Sequence, residues 1–212
     1  MIPTAAEKRM DKSLDKKYSL VLEREKQFVK RVVYIMRAHT QPPWWHMLIP
    51  FRFLFEHMAR KRDVRAFSAT HLYLKQIALS AARWDVEPGD PAASGRQMQA
   101  RLRDYWLHMQ TVKSGEIYEY LSEWMELLRS HYHRLLKASG KNYQTLLQNA
   151  YPSSEYRDFL SRLTDLERKI DRSLLLVQGK TDTISAFIQN KQNAFAKVRE
   201  RELRETHKNI DQ

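Results

Sequence analysis

Apolar side chains return every three or four residues along almost the whole of this chain, and that periodicity leaves little room for anything but helices. Across 5–38, Leu14, Tyr18, Val21, Phe28, Val32 and Ile35 mark one face, and Leu22, Val29, Val33 and Met36 widen it. Glu25 is the only interruption of that face. Met98, Leu102, Tyr105, Trp106 and Met109 repeat the pattern over 96–112, and Ile117, Leu121, Trp124, Leu128 and Leu135 form a heptad-like stripe up to Ala138. From Ser153 onward Tyr156, Phe159, Leu163, Leu166, Ile170, Leu174, Val177, Ile184, Ile188, Phe195 and Val198 continue it, with a stutter near Leu174. Only 5 glycines and 7 prolines punctuate 212 residues. The sequence predicts an all-α fold, an elongated bundle of about six to eight helices in which the long ones are coiled-coil-like.

The breakers set the boundaries. Pro42-Pro43 must end the first helix, because proline has no amide to donate and restricts the residue before it. Residues 44–49 read as extended or turn-like, and Pro50 suits the first position of a short helix to about Arg62. A further helix is expected from an Asp63 N-cap to Trp84. Between Ala66 and Ala82 its only charged residue is Lys75, which marks it as the most buried helix of the domain. The stretch 86–95 carries Pro88-Gly89 and Pro91 and reads as the clearest loop. It separates an N-terminal half, 1–85, from a C-terminal half, 96–212, the two expected to pack as one domain. Ser114-Gly115 breaks or caps a helix, Gly140 suits a helix end, and 142–150 reads as a short helix closed by Pro152. Ser153 is expected to cap the last segment, which Gly179 divides into two antiparallel helices.

Several chemistries are absent from the sequence. With no cysteine there are no disulfides, no thiolate catalysis and no Cys-based zinc site. Residues 1–17 are polar and charged, without the apolar run of a signal peptide, which points to a cytoplasmic protein. No Gly-x-Ser-x-Gly, His-Glu-x-x-His or dinucleotide fingerprint occurs. Gly179-Lys180-Thr181 resembles the tail of a phosphate-binding loop, but Leu174 stands where that loop needs glycine. Glu116, Glu119, Glu123 and Glu126 share one helix face, continued by His133. Ferritin-like sites need Glu-x-x-His pairs, and no Glu here has a His three residues later. The row reads as a solvated or salt-bridged face, with Arg162 and Lys169 as spare partners. His131 falls near the apolar stripe as a core or boundary histidine. No catalytic residue, cofactor or metal is expected.

The departure from ordinary amphipathic helix is Pro42 to Phe55, with Trp44, Trp45, Phe51, Phe53 and Phe55, followed by Arg60, Lys61, Arg62 and Arg65. Residues 1–65 hold 15 of the 37 Lys and Arg against 7 of the 25 Asp and Glu, so about two-thirds of the net +12 flanks this stretch. It is too short and too interrupted to span a bilayer. The stretch reads first as a structural corner whose rings plug the end of the bundle, and second as a docking surface, since Trp and Phe beside Arg and Lys suit an anionic membrane surface or a protein partner. The expected role is a non-enzymatic helical interaction or adaptor protein, peripheral to the inner membrane face where it meets lipid. Its docking residues would be Trp44, Trp45, Phe51, Phe53, Arg60, Lys61, Arg62 and Arg65. Nucleic-acid binding is the first alternative, with basic residues of the first helix tracking phosphates and the tryptophans stacking bases. A metal-carboxylate enzyme is the second. The wide stripes of the first and last helices also suit self-association into a homo-oligomer.

Overall fold

The computed structural model describes the backbone of residues 5–38, 50–87, 90–108, 114–179 and 181–208, and within these it leaves out the side chains of 5–11, 37, 38, 50–66, 91, 153, 178 and 206–208. The described residues form seven helices and no strand: α1 (Ala5–Ala38), α2 (Pro50–Val86), α3 (Pro91–His108), α4 (Gly115–Lys137), α5 (Tyr143–Ala150), α6 (Ser153–Gln178) and α7 (Asp182–Lys208). The all-α bundle read from the periodicity is the observed architecture.

Three boundaries differ from the sequence reading, each for a local reason. Pro50 does open a helix, but the expected break at Asp63 is missing, and α2 runs unbroken to Val86. An N-cap needs the chain to leave helical geometry, and 51–65 contains no Pro or Gly to force that. The 86–95 loop is shorter than expected because α3 already starts at Pro91. Asp90 Oδ1 accepts from the Ala92 amide at 2.9 Å, and Pro91 lacks the amide a first helical turn leaves unpaired anyway. At α6 it is Pro152, not Ser153, that occupies the cap position, without a side-chain cap.

Helix α5 starts as its sequence suggests. Asn142 Oδ1 accepts from the Thr145 amide at 2.9 Å, and the Asn142 amide donates back to Thr145 Oγ1 at 3.3 Å. Gly140 is needed for approach rather than for a left-handed helix end. A Cβ there would lie 2.8 Å from the Leu146 nitrogen. Gly179 alone among the described residues has positive φ, at 80°, and it does separate α6 from α7. Thr181 Oγ1 then accepts from the Ile184 amide at 3.3 Å as the cap of α7. Gly179 is thus a helix stop and Thr181 a helix start. Asp171 with Lys191, and Glu167 with Arg199, pair α6 and α7 as an antiparallel hairpin.

Two apolar clusters result. The larger draws on α1, α2, α3, α4, α5 and α6, from Leu14 and Val21 through Leu74–Ala82, Met98, Leu102, Trp124, Leu128 and Leu147 to Leu166. It includes residues from both sides of the 86–95 stretch. The smaller joins Phe28, Val29, Val32 and Met36 of α1 to Ala194, Phe195 and Val198 of α7, with Phe67 and Phe187 packed against them. None of the described residues forms a helix long and apolar enough to cross a membrane.

Candidate functional site

The docking residues expected from the sequence fall in two groups. Trp44 and Trp45 lie outside the described residues. Phe51, Phe53, Arg60, Lys61, Arg62 and Arg65 lie on α2, described as helical backbone, with side chains outside the description. What the described side chains do bring together is a polar layer between the two apolar clusters.

Its centre is the pair of charges that broke otherwise apolar runs. Lys75 Nζ donates to Glu25 Oε2 at 2.6 Å and lies 4.3 Å from the Phe28 ring centroid. Tyr132, itself fully buried, donates its hydroxyl to Glu25 Oε1 at 2.8 Å. Burial first, and then the Glu25 carboxylate, hold the Tyr132 phenol well above its ordinary pKa. Buried charges persist only when paired and hydrogen-bonded, and both Glu25 oxygens are satisfied.

Two further ion pairs extend the layer to α6 and α7. Arg24 Nη2 lies 2.8 Å from Glu202 Oε1, and its guanidinium carbon sits 5.3 Å from the Tyr143 ring centroid. Arg199 reaches Glu167 Oε1 at 2.8 Å and Thr164 Oγ1 at 2.8 Å. Trp124 Nε1 also donates to Glu167, at 3.4 Å. Burial raises the pKa of the Glu202 carboxyl, and Arg24 pulls the other way. Tyr143 and Tyr156 are likewise raised by burial. Six of the seven helices, all but α3, contribute to this layer.

Two histidines that are buried among the described residues flank it as neutral rings. His71 is surrounded by Phe28, Phe67, Trp124 and Phe195, with centroids 5.3–6.5 Å away. Burial, reinforced by Lys75, Lys191 and Arg199, drives its pKa far down. His131 stacks on Phe159 at 4.2 Å, and its Nδ1 lies 3.0 Å from the Tyr151 hydroxyl. Burial lowers its pKa to about 3. Of the core and boundary positions that the stripe suggested for His131, the core is the one observed. Neither ring is placed to exchange protons with solvent near neutral pH.

A separate clamp closes the α2–α3 turn onto α4. Arg129 grips Asp85 through Nε at 2.7 Å and Nη2 at 2.8 Å, and Ser94 Oγ accepts from the same Nη2 at 2.8 Å. Burial opposes ionisation of Asp85, but the Arg129 and Ser94 hydrogen bonds outweigh it and lower its pKa. The four carboxylates of the Glu row are exposed. Glu116 accepts from Tyr120 at 3.1 Å and Ser173 at 3.0 Å, and Glu126 faces Arg129 at 3.2 Å. Lys169 lies on that face, 5.4 Å from the Tyr120 ring. Among the described residues no three His, Asp or Glu converge as metal ligands would.

The sequence marked Glu25 and Lys75 as anomalies without pairing them, and it gave no prominence to Arg24, Arg199 or Glu202. A signal existed for the last of these: the α7 stripe stops at Val198, while helical register carries the same face on to Glu202. Against models of known protein families, curated proteins and solved structures, the chain has no match.

Proposed function

We propose that this chain is a non-enzymatic helical interaction protein that presents its basic, aromatic segment, 42–65, to an anionic membrane surface or a protein partner. The observation that carries the reading is the partition of charge: 15 basic against 7 acidic residues in 1–65, beside Trp44, Trp45, Phe51, Phe53 and Phe55. Arg60, Lys61, Arg62 and Arg65 near an anionic bilayer would each contribute about 1 kcal/mol, and tryptophan favours the head-group boundary.

The course of α2 supports this. The helix that carries Phe51 to Arg65 is continuous with the one that buries Leu74, Ile77, Ala78, Leu79, Ala81 and Ala82. The part of the docking segment that lies on α2 shares its helical backbone with the core, which lowers the ordering cost of binding. The polar layer supports a structural rather than catalytic interior, since its charges are paired and its histidines are buried and neutral.

Co-sedimentation with vesicles tests the reading. Vesicles containing anionic lipid should carry the protein down, purely zwitterionic ones should not, and the bound fraction should fall as salt rises. Equal sedimentation with both vesicle types would remove the electrostatic basis of the proposal. No sedimentation with either would leave the protein partner as its only form.

A further inference from the structure

A small cavity lies within the polar layer. Its walls are Arg24 and Glu25 of α1, Lys75 of α2, His131 of α4, Tyr143 of α5, Tyr156 of α6 and Arg199 and Glu202 of α7, with apolar side chains completing them. Its volume is about 30 Å³, room for one ordered water and at most a second. Drug-sized ligands fill several hundred Å³, so only a very small occupant fits.

The chemistry of the walls selects among small occupants. An apolar one would have to sit against five ionisable side chains that carry charge. A monatomic ion would disturb a balance already met: Arg24 pairs with Glu202, Lys75 with Glu25, and Arg199 with Glu167 just beyond the wall. What remains unmet is a donor. Arg24 Nε is buried and makes no hydrogen bond to any described protein atom. Leaving a buried donor unmet is costly, and more so for a charged group. A water can accept that bond and donate to a carboxylate of Glu25 or Glu202. The phenols of Tyr143 and Tyr156 offer it further partners, and buried waters typically make about three hydrogen bonds.

We propose that this cavity is a binding site for an ordered water molecule that accepts from Arg24 Nε and links α1 to α7 through the buried ion pairs. The water completes the hydrogen bonding of Arg24 where the small α1–α7 cluster docks on the main core.

The test is a crystal structure of the full chain at a resolution that defines ordered solvent, from crystals grown in sodium bromide. The expected result is a spherical peak without anomalous signal, within about 3.2 Å of Arg24 Nε and with at least two further polar contacts. An anomalous bromide peak in the cavity would overturn the proposal in favour of an anion site. Absence of density there, or an Arg24 side chain turned so that Nε meets a protein acceptor, would overturn it outright.

Discussion

Lys75 Nζ stands 2.6 Å from Glu25 Oε2, and each residue is the charge that interrupts the apolar face of its own helix. The side chain of Lys75 is only 5% exposed and that of Glu25 13%, so removing one partner leaves the other buried and unpaired. Lys75→Met is expected to cost about 3–5 kcal/mol. The double variant Glu25→Gln/Lys75→Met keeps an acceptor for the Tyr132 hydroxyl and should recover at least half of the loss. Urea denaturation of both checks this. Equal destabilisation of the single and double variants would mean that the stranded charge is not the cause.

That pair also marks how far the sequence could be read. Periodicity located α1, α3, α4, α6 and α7, the apolar content of 66–82 marked part of α2, and Pro50, Asn142 and Gly179 sit at helix boundaries because proline, an Asn cap and a glycine stop act through local chemistry. Asp63 misled, since a good capping residue does not interrupt a helix without a breaker. The 86–95 stretch misled in the opposite direction, because Asp90-Pro91 is a helix start as well as a turn signal. Glu25 and Lys75 were visible as exceptions, but their pairing depends on the rotation of α1 against α2, which no local rule supplies. Arg24, Arg199 and Glu202 were hidden for the same reason: on a helix wheel a buried ion pair resembles the edge of a polar face.

The buried histidines make the fold acid-sensitive. His131 has a folded pKa of about 3, below its unfolded value, so between the two values the unfolded state binds the extra proton. Stability is full above roughly pH 6.5 and falls as pH drops, by about 2 kcal/mol at pH 5 from His131 alone. His71 acts in the same direction. Glu202, with its raised pKa, acts oppositely and offsets part of the loss on acidification. Denaturation midpoints between pH 7 and 5 should decline, and His131→Phe should flatten the slope. A pH-independent midpoint would contradict the buried, neutral assignment.

Gly140 and Gly179 should fail for different reasons when replaced by alanine. At Gly140 the new Cβ would meet Leu146 N at 2.8 Å and Thr145 Oγ1 at 2.7 Å, so the α4–α5 connection must shift, at about 1–3 kcal/mol. At Gly179 there is open space, but φ is +80° with ψ 145°, a region essentially reserved for glycine, and the cost is backbone strain of about 1–3 kcal/mol. With open space around it, Gly179→Asn should cost no more than Gly179→Ala, because both meet the same backbone strain, whereas Gly140→Asn should cost more than Gly140→Ala. Thermal melts of the four variants separate the two causes.

Helix α7 packs mainly through the smaller apolar cluster and the polar layer and meets the main core through Leu203. Its amides should therefore exchange through a partial opening of lower free energy than global unfolding. Hydrogen exchange is expected to run at least about tenfold faster in the middle of α7 than around Met125 and Leu128 of α4. Equal protection of both would show that the two clusters open as one unit.

The central claim, that the aromatic and basic segment is a docking surface, is tested most directly by comparing the wild-type chain with Trp44→Ala/Trp45→Ala in co-sedimentation with anionic vesicles, circular dichroism confirming that both are folded. The folded double variant should lose most of its sedimentation at the lipid concentration where wild type is half bound. A folded variant that sediments as well as wild type would contradict it.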